Sequence, residues 1–364
     1  MGSPTTSSIV HDIPVLVVGG GVAGSSAGIA LAKAGVPFAV ITPPSRGHLD
    51  YRIGESLGPG AEQLLIDLGV WEPFQRGGHR KVQHSFASWG SPMLVRREDQ
   101  RGWILDRLAF DALLHDTASD QASLRIEDWV MAVQQDASGW IVTTGQGERI
   151  RCQFIIDCSG RSAVVARKVT ERHRLDRLIA CHAALSRWDV SVEVTPASVV
   201  EAGERGWWYA VLLPSGKALL AWFTDACPGD MVRDHAVWQE RLQTSTFAVP
   251  WLKSAGFETP GLPSVSPAGT VMLEHAADAT RGWAAAGDAA LSVDPLSSHG
   301  ILSALWMGRQ VGVAAAAWIN GDPQPLEDYR VEVARGASRY LKERTAMYAS
   351  EQRYPASSFW QLRR

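Results

Sequence analysis

Residues 14–35, PVLVVGGGVAGSSAGIALAKAG, constrain the fold more than any other stretch of the chain. Val15, Leu16, Val17 and Val18, entered through Pro14, form an unbroken apolar run of the kind that makes a strand buried in a parallel sheet. Gly19, Gly21 and Gly24 follow at G-x-G-x-x-G spacing and open an Ala-rich helix carrying Ile29 and Leu31. Each glycine answers a steric demand: the first allows the tight turn, the second lets a diphosphate reach the backbone, and the third lets helix pack on strand. The diphosphate then faces unpaired N–H groups at the positive end of the helix dipole. With a strand before the glycines and a helix after them, the stretch predicts dinucleotide binding rather than a glycine-rich turn with no ligand.

The second predicted strand, Pro37 to Ile41, bears on which dinucleotide. An Asp or Glu at its end ordinarily binds the adenosine ribose. Here Thr42, Pro43 and Pro44 stand in that place, so either Thr42, Ser45 or Arg46 holds the ribose or it is held less tightly. That omission alone leaves NAD and FAD undecided.

Composition sets outer bounds. A chain of 364 residues can bury a large core and form one or two domains. A net charge of -3 and a pI near 6.4 give no electrostatic footprint for nucleic acid. Cys152, Cys158, Cys181 and Cys227 form no C-x-x-C, and the histidines form no H-x-x-E or H-x-x-x-H pair, so neither a metal site nor a disulfide framework is expected. Residues 1–11 do not read as a signal peptide, and no apolar run approaches the roughly 20 residues that span a bilayer, so a cytoplasmic location is expected. The chain holds 15 Trp against 9 Phe and 6 Tyr, which favours an aromatic-lined cavity for a flat ring.

Four further stretches bear on the cofactor. Residues 51–69 give a glycine-containing turn, then an amphipathic helix with Leu64, Leu65 and Leu68. Residues 102–114, GWILDRLAFDALL, place Arg107 just inside a helix, where it can contact a flavin or its phosphates. Residues 154–167 give a buried strand ending in Asp157, followed by Gly160. Residues 282–301 give a strand, Gly287-Asp288, and a helix start after Pro295 near Gly300. Asp288 can hold a ribityl hydroxyl, and the helix start can aim N–H groups at the pyrimidine side of a reduced, negatively charged flavin.

G-x-G-x-x-G, D-R-x-x-F-D-x-x-L, D-x-S-G-R-S and G-D-A-A-x-x-x-D-P-x-x-S-x-G, in this order from Ile13 to about Ala316, resemble the FAD-dependent monooxygenases and halogenases of the para-hydroxybenzoate-hydroxylase-like fold. Trp89–Ser91, Gly102–Arg107 and Asp294–Ile301 look most like the LodB-like flavoproteins, which oxygenate a Trp of a partner amino-acid oxidase in tryptophylquinone biogenesis. The resemblance implies FAD as cofactor, NAD(P)H or a reductase as electron source, and a quinone-cofactor oxidase precursor as partner. The chemistry it implies is hydroxylation of an electron-rich aromatic ring through a flavin C4a-hydroperoxide. A halogenase or hydroxylase of a small aromatic molecule is the alternative, and a non-catalytic flavin-binding maturation factor is a second.

Three residues are candidates for catalysis, each with a plainer reading. Glu55 is either the acid near the flavin or half of a loop salt bridge. His299 is either a proton donor or a solvent-facing neighbour of a helix cap. Lys81 is either the lysine with which flavin halogenases guide hypohalous acid or a solvated strand-edge residue; the W-x-W-x-I-P signature of tryptophan halogenases is absent. Trp89, Trp207, Trp208, Tyr209 and Trp222 are candidate lining residues.

The fold expected is α/β (α+β): a Rossmann-like FAD domain, discontinuous over 12–77, 101–179 and 265–330, interleaved with an antiparallel-sheet substrate domain over 78–100 and 180–264. Residues 331–364 are expected as a C-terminal helical segment whose mixed charges, Glu332, Arg335, Lys342, Glu343 and Arg344, form a solvated face.

Overall fold

The structure, a computed structural model, describes residues 11–44, 51–98, 102–225 and 234–364. Ser45, Arg46 and Cys227 lie outside them. The apolar run becomes β1 (His11–Val18), hydrogen-bonded in parallel to β2 (Phe38–Thr42) on one side and to strand Arg149–Asp157 on the other. Val15, Leu16 and Val17 have no exposed surface, as an interior parallel strand requires. Strands Leu124–Glu127 and Trp283–Ala285 extend the parallel sheet, and the hairpin Val130–Asp136/Gly139–Thr144 joins it antiparallel.

The helices used below are α1 (Val22–Lys33), α2 (Ala61–Leu68), α3 (Trp71–Arg76), α4 (Arg107–Ser119), α5 (His235–Gln243), α6 (Ala248–Ser254), α7 (Gly300–Ile319) and α8 (Gln324–Ala349). Small residues let α7 lie directly on α1. A side chain at Gly308 would overlap the Ala23 carbonyl, and one at Gly312 would meet the Ala27 carbonyl oxygen at 2.6 Å. That contact brings the first turns of both helices to the wall of one cavity.

The second sheet runs Ser264–Pro267, Leu178–Leu185, Ala218–Asp225, Gly206–Leu212, Ala197–Gly203, His84–Ser88, Val95–Arg96. It is mixed rather than purely antiparallel, because Ala197–Gly203 pairs in parallel with His84–Ser88. The latter strand comes from an earlier pass of the chain, so no hairpin fixes its direction. One face packs under α5 and α6 through Trp208, Trp222 and Trp238. The Glu201 carboxylate anchors α6 by accepting hydrogen bonds from Thr246, Phe247 and Ala248 N–H and from the Ser245 hydroxyl.

Two further expectations change. Ser264–Pro267 belongs to the second sheet, and α8 starts at Gln324, so the expected boundary at residue 330 falls inside a helix. Arg344 is not on a solvated face. Its side chain is 9% exposed and paired with Asp176 at 2.6 Å and Asp294 at 3.5 Å, because α8 turns that side inward while Glu332 and Arg335 pair on the outside. No helix among the described residues is long and apolar enough to cross a membrane.

Candidate functional site

A cavity of about 360 Å³ lies between the glycine-rich ends of the parallel strands and the open face of the second sheet. On the parallel-sheet side β1 is followed by Gly19, whose φ of 108° only glycine adopts readily and whose N–H bonds the Ile41 carbonyl at 2.8 Å. A side chain at Gly24 would overlap the Gly19 carbonyl oxygen, whereas one at Gly21 would meet nothing within 4 Å. Gly21 is also the N-cap of α1 and supplies no side-chain cap, so the first N–H groups of the helix are left for a ligand. A clash-free opening above uncapped amides fits the diphosphate of FAD.

Cys158, Gly160, Arg161, Gly287, Asp288, Pro295, Leu296, Ser298 and Gly300 continue this wall. Arg161 Nε lies 3.4 Å from the Asp288 carboxylate, and its terminal nitrogen donates to the Gly269 carbonyl. Arg107 also lines the cavity. Asp106 caps its helix by accepting the Ala109 N–H, and the guanidinium bonds Asp111 and the Ile53 and Gly54 carbonyls. It thereby ties the loop carrying Glu55 to α4.

The expected cofactor residues Gly21, Arg107, Gly160, Gly287, Asp288, Pro295 and Gly300 therefore meet at one cavity, with Gly19 and Gly24 shaping the turn beneath it. Asp157 is used differently. It has no exposed surface, and its carboxylate accepts bonds from Ser159 N–H and Oγ–H and from Val165 and Ala166 N–H, which fastens the turn that follows the strand. Thr42 closes β2 beside Gly20 rather than lining the cavity. Arg46 lies outside the described residues.

On the opposite wall strand alternation selects the aromatics. Trp207 and Tyr209 face the cavity with Val200, Leu219, Ala221 and Phe223. Trp207 stacks on Phe223 with ring centroids 3.9 Å apart. Trp208 and Trp222 point to the other face, and Trp89 packs behind Trp207, donating its indole N–H to the Met347 carbonyl. Only Trp207 and Tyr209 of the five expected aromatics line the cavity.

The three catalytic candidates separate. Glu55 is 3% exposed, lines the cavity, and leaves Oε2 without a hydrogen-bond partner among the described residues. Burial pushes its carboxyl above the usual range, and the neighbouring Tyr209 hydroxyl and Arg107 charge offset only part of the rise. The Tyr209 hydroxyl is pushed up in turn by burial and by Glu55, and it also lies 3.3 Å from Ser56 Oγ. His299 is exposed at the N-cap of α7 and does not line the cavity, since the backbone there turns its side chain outward. Lys81 is exposed at a short strand, with its ammonium 5.2 Å from the Trp103 ring centre, and is likewise outside the cavity wall. Sequence reading passed over Arg161 and Ser56; the charge immediately after Gly160 in D-C-S-G-R-S was the available signal for the first.

Apart from this site, Glu171, His173 and Glu274 bring ligand-type atoms within 4.8 Å of one another on an exposed strand pair. None of the three lines the cavity.

The FAD binding domain family matches residues 12–246. The chain is similar to the putative FAD-dependent oxidoreductase LodB of Marinomonas mediterranea, 27% identical over 367 residues covering 96% of each chain. Among solved structures it shares the fold of the myxobacterial chondrochloren halogenase CndH, with a TM-score of 0.84 at 19% identity, covering 97% of this chain and 86% of the other. It also shares the fold of the peptidyl tryptophan dihydroxylase QhpG, with a TM-score of 0.76 at 21% identity, covering 97% and 78%.

Proposed function

The chain belongs to the FAD-binding domain family and is an FAD-dependent oxidoreductase, and from that premise we propose that it oxygenates an uncharged aromatic ring, a tryptophan side chain presented by a partner polypeptide. The observation that carries this reading is the wall facing the glycine-rich cradle. Trp207, Tyr209, Val200, Leu219, Ala221 and Phe223 make an aromatic and aliphatic surface, with the Glu55 carboxyl buried beside it. A free amino acid would have to bury its ammonium and carboxylate against that surface, at a cost of several kcal/mol per ion. An indole within a polypeptide carries neither charge. The fold shared with QhpG, which is named for peptidyl tryptophan dihydroxylation, supports the same choice.

Bound FAD, once reduced, supplies the two electrons that activate O2; one oxygen atom enters the ring and the other leaves as water with two protons. Gly21 and the first turn of α1 would hold its diphosphate, and Asp288 and Arg161 would hold its ribityl side. The rest is the work of the chain's own groups. The stacked Trp207–Phe223 pair fixes the plane against which a second ring can lie. The apolar wall excludes water from the reacting ring. Burial favours the protonated form of Glu55, which can give its proton in the cavity and regain it through the Tyr209–Ser56 hydroxyl pair. NAD(P)H or a reductase is the electron source in this reading.

Halogenation is the second reading, favoured by the shared fold with CndH. One experiment separates the two. Protein loaded with FAD and reduced is mixed with O2, bromide, and free tryptophan, a phenol or a tryptophan-containing peptide, and products are weighed by mass spectrometry. Oxygen gained on the peptide regardless of bromide supports the proposal. A bromine isotope pair sinks it, and oxygenation of free tryptophan in preference to the peptide removes the polypeptide part.

A further inference from the structure

We propose that His115 on α4 takes the place of the missing ribose-binding acid at the adenosine end of the FAD site. The inference rests on membership of the FAD-binding family and concerns a corner of the molecule away from the aromatic wall.

The end of the second parallel strand is where an acid ordinarily meets the ribose. β2 ends in Thr42, which offers one hydroxyl and no charge. The glycine turn passes between Thr42 and His115: a methyl group at Gly20 would lie 2.5 Å from Thr42 Cγ2 and 2.9 Å from His115 Nδ1. Both side chains therefore border the same residue of the dinucleotide turn, one from β2 and one from α4.

The imidazole is held rather than free. Its Nε2 lies 3.2 Å from Oγ of Ser119, one turn further along α4 and buried. Nδ1, on the side of the turn, has no partner among the described residues. With the Ser119 hydroxyl donating to Nε2, Nδ1–H becomes a donor toward the turn; in the other tautomer Nδ1 accepts. A ribose hydroxyl satisfies either form. α4 itself is fixed at its first turn by the Arg107 bonds to the Ile53 and Gly54 carbonyls and near its last residue by close packing on α1, where a methyl group at Gly28 would lie 3.3 Å from Ala118 Cβ.

Glu127 is the rival, since it stands in register with Thr42 on the neighbouring strand. It is exposed and one strand spacing, about 4.8 Å, further from the turn. His115 is the group that borders Gly20 directly.

The test titrates the apoprotein with FAD and with FMN, following flavin fluorescence. FMN lacks the adenosine half. His115→Ala is expected to weaken FAD about tenfold, the loss of one hydrogen bond to a positioned group, and to leave FMN unchanged. Glu127→Gln is expected to change neither. Unchanged FAD affinity in His115→Ala, equal weakening of FAD and FMN, or a loss with Glu127→Gln in its place each overturns the assignment. Should His115→Ala fail to fold, His115→Gln is read by the same two titrations. Wild-type protein that binds FMN but gains nothing from the adenosine half also overturns it. Wild-type protein that binds no flavin at all overturns the family reading itself.

Discussion

The Tyr348 hydroxyl donates a hydrogen bond to the Asp294 carboxylate at 2.8 Å, from a side chain with no exposed surface. The same oxygen accepts the Trp207 indole N–H at 3.2 Å. Asp294 in turn caps the 295–297 turn by accepting the Leu296 N–H and pairs with Arg344. One tyrosine of α8 thus joins the aromatic wall to the opposite wall of the cavity. Tyr348→Phe keeps the ring but removes both bonds, and is expected to cost about 1–3 kcal/mol in urea unfolding. It should also raise the KM for an aromatic substrate; loss of stability with an unmoved KM would confine Tyr348 to the scaffold.

Glu55 makes a prediction about pH. Because its folded pKa is raised, the native state keeps a proton that the unfolded chain releases. Its contribution to stability is full below the ordinary carboxyl range and is lost as pH rises through the folded pKa. Glu55→Gln should therefore lose less stability than wild type between pH 4 and pH 8. If Glu55 supplies the proton, the variant should also oxygenate on the order of 10²-fold more slowly in single turnover. An unchanged rate would leave it a packing residue.

Trp207 and Trp208 are neighbours on one strand with opposite duties. Trp208→Ala opens a hole beneath α5 and should cost about 3–5 kcal/mol while leaving the KM near that of wild type, measured below the melting range. Trp207→Phe should do the reverse, with a modest change in unfolding and a clear rise in KM. Equal effects of the two on KM would mean that the cavity face is misassigned.

The contact of α7 with α1 predicts a link between packing and cofactor retention. Gly308→Val places a branched side chain against the Ala23 carbonyl and should cost about 1–3 kcal/mol or more. Purified variant should carry less flavin per chain than wild type, read from its visible absorbance. Full flavin content would show that the two helix ends move independently.

The parallel core was legible in the chain because its signal is local. Val15–Val18 followed by Gly19, Gly21 and Gly24 contains the strand, turn and helix within 22 residues, and β1 and α1 lie where that stretch puts them. The split between Trp207 and Trp208 was not legible, because alternation tells which residues share a face but not which face meets the cavity. Asp157 looked like a cofactor ligand because it ends a strand; only the fold reveals four nearby donors from its own loop that occupy it. Glu55 was undecided for the same kind of reason. Its pKa depends on Tyr209, 154 residues away in the chain, and on burial that no local pattern encodes. Arg344 sat in a run of mixed charge, and its partners Asp176 and Asp294 are likewise distant in sequence.

The parallel pairing of Ala197–Gly203 with His84–Ser88 means that the chain supplies the second sheet in separate visits, with strands and helices of the cofactor module built between them. No single cut divides the polypeptide into a cofactor half and a substrate half. A new substrate can be accommodated by changing residues on the cavity face of the sheet, each under the constraint that the wall keeps its shape opposite the glycine turn. Ala180 and Ala221, the smallest side chains of the second sheet's cavity face, are where such a change would alter the width of the site first.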